Sequence, residues 1–176
     1  MIKHWINGRE VESREVFETF NPATGDVIEE VASGAAAEID AAVAAARQAF
    51  PGWAATPAKE RARLMRRLGE LIDQRVPQLA ALETRDTGLP IHQTRDVLIP
   101  RASHNFRFFS EVCTRMDGHS YPVDDQMLNY TLHQPDGVCG LIAPWDVKFM
   151  TANGKTAPRR ALGYLDVLER LEAVHL

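Results

Sequence analysis

The sequence predicts an α/β fold, and three observations lead there. Helical apolar periodicity dominates residues 36–116. Strict alternation replaces it at "LNYTLH", where Leu128, Tyr130 and Leu132 share one side of an extended segment and Asn129, Thr131 and His133 the other. A short, continuously apolar run, "VCGLIA" (Val138–Ala143), then passes Pro144 into a further helical pattern. That is the order expected of a buried strand crossing over to a parallel neighbour.

In chain order, "HWINGREV" places Asn7-Gly8 between short apolar segments, the strongest two-residue hairpin signal. "FETF" and "DVIEEVA" flank the loop "NPATG", Asn21 to Gly25. Ala36 to Phe50 is an Ala-rich helix with Ile39, Val43 and Ala46 on one face. The next helix starts with Thr56 as N-cap and Pro57 at its first position, and its apolar stripe is Leu64, Leu68, Leu71 and Ile72. Pro77 opens a third helix that Gly88 caps, and Pro100 opens a fourth with Phe106, Phe109, Cys113 and Met116 on one face. On that face Cys113 reads as core and not as a nucleophile. "PDG", Pro135 to Gly137, turns the chain into Val138–Ala143, a strand covered on both faces, within which Cys139 also reads as a small core residue. A helix runs from roughly Phe149 to Leu162.

At 176 residues the chain is long enough for one ordinary domain, and its 45% apolar and 25% charged residues are those of a soluble globular protein. The net charge of −4 argues against a nucleic-acid partner, and "KERARLMRR" reads as a solvated helix face. No stretch reaches the ~18 apolar residues that read as a membrane span. "MIKHWINGRE" lacks the apolar core of a secretory signal. The two cysteines form no CxxC pair and the six histidines no HxxxH or HExxH spacing, so no metal site and no disulfide framework is expected. A reducing cytoplasm is the expected compartment.

The motifs themselves say more. "NPATG", "AAVAAARQAFPGWAATPAKERARLMRRLGELI", "ETRDTG" and "GVCGLIAPW" follow one another in an order and spacing that resemble the aldehyde dehydrogenase superfamily, from about Trp5 to Gly163. Within it, "DTGLPIHQT", "VLIPRASHNF" and "YPVDDQMLNYTL" look closest to the carboxymethyl-hydroxymuconate semialdehyde dehydrogenases of bacterial aromatic-acid breakdown. The resemblance implies the N-terminal part of a Rossmann-type cofactor domain, with helices, a β-flap for subunit assembly and an incomplete parallel sheet. Residues 1–118 would be the hairpin and helical part, 119–136 the flap strands, 137–163 the first cofactor-domain strand and crossover helix, and 164–176 a divergent tail.

In that family a thiolate attacks the aldehyde, an amide donor holds the oxyanion, hydride passes to NAD, and a base activates water to release the acid. The resemblance places Ile142, Ala143, Pro144 and Trp145 along the NAD channel, with Lys155 beside it on the crossover helix, where Gly154 replaces the usual tryptophan. Asp146 stands at the position of the oxyanion-donating asparagine. An ionised carboxylate has no N–H and repels an oxyanion, whereas a proper donor contributes roughly 3 kcal/mol. The other reading of Asp146 is a cap on the following helix. Glu169 replaces the lysine that binds the adenosine ribose, and a carboxylate can also accept from ribose hydroxyls. Lys148 stands at a usual proline position. Arg159 and Arg160 replace small apolar residues, and the two cannot both face a sheet without a desolvation cost.

The tail departs from the family pattern. Leu165, Leu168, Leu171 and Leu176 stand near helical spacing, so Thr156 to Val174 is expected as one amphipathic helix with Gly163 its weak point. The segments that carry the family's catalytic cysteine and glutamate are absent from these 176 residues. The expected function is that of a truncated NAD-dependent semialdehyde dehydrogenase, inactive alone. The alternative is a non-catalytic assembly module that forms homo-oligomers through its flap strands and exposed apolar faces.

Overall fold

A computed structural model describes residues 1–144 and 147–170, the last two of them by backbone alone. The chain begins with two antiparallel hairpins. Strands β1 (His4–Ile6) and β2 (Arg9–Val11) are joined by Asn7 and Gly8, both at positive φ (53° and 74°), as a tight primed turn requires. Strands β3 (Val16–Phe20) and β4 (Val27–Ala32) enclose the "NPATG" loop. There the Asn21 side chain accepts from the Ala23 N–H, and its carbonyl accepts from Gly25.

Helix α1 (Ala36–Ala54) runs a turn beyond its expected end and contains Pro51. Helix α2 (Ala58–Asp73) has Pro57 and not Thr56 at its cap position, because the Thr56 hydroxyl donates back to the Gly52 carbonyl instead. Its buried face is Ala62, Met65, Gly69 and Ile72. Leu64 and Leu68 of the expected stripe stay about 40% exposed. The reason is close packing on α5, since the buried Ser103 hydroxyl donates to the Gly69 carbonyl at 3.1 Å. A Cβ at position 69 would stand 3.2 Å from the Ser103 carbonyl oxygen. Small residues therefore face the neighbouring helix, and the leucines are rotated outward.

Helix α3 (Val76–Thr87) ends at Gly88 in the left-handed conformation. A one-turn helix α4 (Ile91–Gln93) and a π-turn (Thr94–Leu98) lead into α5 (Ile99–Val112). The wide turn carries the chain to Pro100, which has no N–H to give. Cys113 closes this run buried, its thiol directed at the carbonyls of Ala58 (3.2 Å) and Ala161 (3.1 Å). Phe106, Ile99, Met65, Ala80, Ala157 and Ala161 form the buried core with it.

Strands β5 (Ser120–Asp124) and β6 (Met127–Tyr130) form an antiparallel hairpin, but it ends before His133, and every residue of it is exposed. The expectation of a half-buried strand is thus corrected: within this chain neither face of the hairpin is covered. Strand β7 (Val138–Ala143) is likewise covered on one face only, with Leu141 and Ala143 buried and Ile142 50% exposed. Helix α6 (Lys148–Ala161) crosses over from it to β8 (Leu165–Arg170), which pairs parallel to β7.

Strand β8 corrects the expected helical tail over its described residues; residues 171–176 lie outside them. Gly163 sits at φ 88°, the Tyr164 N–H reaches the Arg159 carbonyl (3.1 Å), and the Gly163 N–H reaches that of Arg160 (3.3 Å). These two bonds are a Schellman stop, which ends α6 and turns the chain back. Leu165 and Leu168 fit either period. The sheet edge of β7, not local spacing, decides for the strand. The parallel sheet over the described residues is two-stranded, as an incomplete sheet was expected to be.

Candidate functional site

The parallel pair brings two carboxyl ends together. The register sets Ile142 opposite Glu169 and Ala143 opposite Arg170, with the first turn of α6 following closely on the end of β7. In open α/β sheets the crevice outside the strand ends is where ligands sit. Ala143 is buried, while Ile142 and Pro144 are open to that crevice. Trp145 and Asp146 lie outside the described residues, so both readings of Asp146 fall there. The Glu169 backbone is described and its side chain is not.

Lys155 lies two turns into α6, and its Nζ donates to the Ile142 carbonyl oxygen. That bond ties the helix to the last turn-side peptide of β7 and places an ammonium at the strand end. One carbonyl leaves two of its three N–H donors for other acceptors.

The N-terminus of α6 is held from a distance. Glu83 of α3 is buried, and its Oε1 accepts from the Phe149 N–H at 3.4 Å, while Lys148 pairs with Asp86 one turn further along α3. A carboxylate at the first turn satisfies an orphan donor and suits the helix dipole. Burial pushes the Glu83 carboxyl above its ordinary range, against the pull of the Phe149 N–H and of Lys148. Sequence reasoning missed this clamp. "ETRDTG" served there only as a family marker, and no spacing rule links residue 83 to residue 149. Lys148, at the usual proline position, is what gives Asp86 its cation.

The arginine pair resolves without two buried charges. Arg160 Nε meets Asp166 Oδ1 at 2.7 Å, and the Asp166 side chain is only 5% exposed. Burial pushes that carboxyl up, and Arg160 pulls it down. Arg159 stays exposed, with its guanidinium 5.8 Å above the Tyr164 ring. One arginine turns inward and finds an acid; the other stacks at the surface.

Neither thiol reaches the strand ends. Cys113 is enclosed among α2, α5 and α6, and Cys139 stands four residues before Ala143, ~13 Å back along the strand. Among the described residues no three His, Cys, Asp or Glu side chains gather in a way that could hold a metal ion. No described helix is long and apolar enough to cross a membrane. The strand-end crevice thus offers an exposed apolar edge at Ile142 and an ammonium at Lys155, and its described part holds no sulfur nucleophile.

Comparison with known proteins gives consistent findings. The chain is 65% identical over 171 residues to the 5-carboxymethyl-2-hydroxymuconate semialdehyde dehydrogenase of Escherichia coli, covering 97% of this chain and 36% of that protein. It is similar to the crystal structure of PnpE in complex with nicotinamide adenine dinucleotide, with a TM-score of 0.94 and 36% identity over 96% of this chain and 35% of that one. The NAD+ complex of an aldehyde dehydrogenase from Bacillus cereus matches at a TM-score of 0.92 and 38% identity, over 95% and 35%. The chain thus spans about a third of the length of the relatives it matches. With the aldehyde dehydrogenase family description matching residues 5–169, the chain belongs to the aldehyde dehydrogenase family.

Proposed function

We propose that this chain supplies the cofactor-edge third of a cytoplasmic, NAD-dependent semialdehyde dehydrogenase of aromatic-acid catabolism, and that its 176 residues alone do not oxidise an aldehyde. The observation that carries the reading is the parallel β7–β8 pair with Lys155 bonded to the Ile142 carbonyl at its carboxyl edge, in a chain so similar to a muconate-type semialdehyde dehydrogenase. Ile142, Ala143, Pro144 and Trp145 would line the cofactor, and Lys155 and Glu169 would meet its polar groups. The fit rests on the exposed Ile142 edge and on a lysine that retains free donors there. When bound, NAD accepts the hydride. This chain's residues orient it and leave the covalent step to a thiol they do not provide at that edge.

The purified 176-residue polypeptide is expected to give no NADH above background with a muconate-type semialdehyde. Steady turnover, with contaminating full-length enzyme excluded, would overturn the reading. Asp146 has its own test in a chimera that joins residues 1–170 to the remainder of the E. coli relative. There Asp146→Asn should raise kcat by roughly 100-fold, the usual size of one oxyanion donor. An unchanged kcat would leave Asp146 as a cap.

A second reading concerns assembly. The β5–β6 hairpin exposes Tyr121, Val123, Met127, Leu128 and Tyr130, each more than half accessible. A hairpin without a covered face is marginal alone, which supports a role for it between subunits. Sedimentation of the chain as a dimer or larger species would favour this role, and a strict monomer would count against it.

A further inference from the structure

Helix α6 lies on the helical bundle along a smooth seam. Gly154, Ala157 and Ala161 recur at helical spacing, and both alanines are fully buried in the core. A Cβ at Gly154 would meet the Asn105 amide nitrogen of α5 at 3.6 Å, so the two helices run close there. Helices lock in register when side-chain ridges seat in grooves, and side chains this small form low ridges. The seam therefore sets the distance between helices better than it sets the position of α6 along its own axis. Lys155 needs that position fixed to reach the Ile142 carbonyl at the end of β7.

Polar ties at the two ends of α6 fix it. At the far end the Ala161 carbonyl accepts from Arg61 Nε of α2 and from the Cys113 thiol, both at 3.1 Å. At the near end, the described residues of the helix start offer no cap of their own. Val147 stands at the N-cap position and makes no side-chain cap bond, and the first turn, from Lys148, holds no acid. Glu83, buried in α3, meets these orphan donors instead. Its carboxylate accepts from the Phe149 N–H at 3.4 Å and faces the backbone N–H of Lys148 as well. The Lys148 side chain adds an ion pair with Asp86. A cap supplied by another helix does what a local cap cannot. It satisfies the helix start and also ties that start to the rest of the bundle.

We propose that Glu83 is a positioning residue of the strand-end site, which sets the axial register of α6 and, through it, the arrival of the Lys155 ammonium at the end of β7. The helix rises ~1.5 Å per residue, so a slip of one residue exceeds the few tenths of an ångström that a hydrogen bond tolerates. The inference deepens the functional reading above and rests on it for the use of that ammonium; the bonds themselves belong to this chain.

The test follows two signals in the isotope-labelled 176-residue chain. One is amide hydrogen exchange at 149–151. The other is the carbonyl 13C shift of Ile142, with Lys155→Met supplying its value when no ammonium bonds it. Glu83→Leu fills the buried space and removes the acceptor. It should speed exchange at 149–151 about tenfold and move the Ile142 shift most of the way to the Lys155→Met value. Glu83→Gln keeps an acceptor and should hold both signals near wild type. In both variants exchange at Met65 and Phe106 should stay within about twofold of wild type, because the core is untouched. A merely structural role would instead speed exchange at the core and at the helix start alike, and that result sinks the proposal. So does an Ile142 signal unmoved in Glu83→Leu, which would leave the register to Arg61 and Cys113. Glu83→Asp carries the test if the leucine variant does not fold. It withdraws the carboxylate by one methylene, and it should move both signals in the same direction by less; an unmoved Ile142 there counts equally against the proposal. The outcome is separable from that of the functional reading. NADH production by the isolated chain would sink that reading with these bonds unaffected, and a failed positioning test would leave the turnover test intact.

Discussion

The α2–α5–α6 bundle and the β5–β6 hairpin make an instructive contrast. The helices bury Met65, Ile99, Phe106 and Cys113 against one another, and even their polar groups are matched within the chain, as with Ser103 and Gly69. The hairpin has strand register and a tight turn, with the Asp124 carboxylate accepting from the Gln126 N–H, yet buries nothing. Local hydrogen bonding thus builds an element without giving it a place in a core. The helical bundle draws its stability from partners on the same chain; the hairpin, exposed throughout, has only its own strand pairing among the described residues.

Substitutions can break or sharpen that contrast. Phe106→Ala should cost about 3–5 kcal/mol in chemical denaturation, as expected for a phenylalanine 2% exposed at the centre of the bundle. A loss under ~1 kcal/mol would mean that the helices are held chiefly by something other than this core. Gly163→Ala should cost about 1–2 kcal/mol, since it puts a Cβ in the left-handed region. That Cβ would also stand 3.2 Å from Pro135. Circular dichroism would show added helix if the residues of β8 revert to their local preference, and no change if the β7 edge holds them.

Glu83→Gln probes the seam where α3 grips α6. The folded carboxyl sits above its unfolded value, because burial outweighs the Phe149 N–H and Lys148. The native state therefore holds the proton longer than the unfolded chain, and stability falls as pH rises from about 4.3 through that raised value. The glutamine amide keeps an acceptor for Phe149 and carries no charge, so the fall should be shallower in urea titrations at successive pH values. Asp166, raised in the same direction, preserves part of it. An unchanged slope would show that Glu83 does not titrate over this range. Leu128→Ser should be the smallest change, within ~0.5 kcal/mol in the isolated chain, because Leu128 is exposed. If the hairpin joins subunits, the same substitution should shift sedimentation toward monomer.

Much of this molecule is legible in its sequence. Asn7-Gly8, the "NPATG" loop, Gly88 and the start of α6 all follow from turn and cap chemistry, which acts over a few residues. Helical spacing alone marks Cys113 as core, and the structure agrees. The α2 stripe misleads because hydrophobicity ranks leucine above glycine, while close helix approach ranks them in reverse. The tail misleads because Leu165 and Leu168 satisfy two periods, and the deciding hydrogen bonds belong to β7. At the strand ends, the bond from Lys155 to Ile142 and the Glu83–Phe149 link span 13 and 66 residues, beyond the reach of local spacing rules.

By itself the sequence determined the family, the order of the main elements as far as α6 and the turns at Asn7-Gly8 and Gly88, because those depend on backbone preferences and side chains within a turn of one another. Only the tertiary structure decided which face of each element is buried, whether residues 165–170 become strand, and which charges find partners. Those outcomes depend on surfaces that meet only after the chain has folded back, where packing and desolvation outweigh the fractions of a kcal/mol that local propensity supplies.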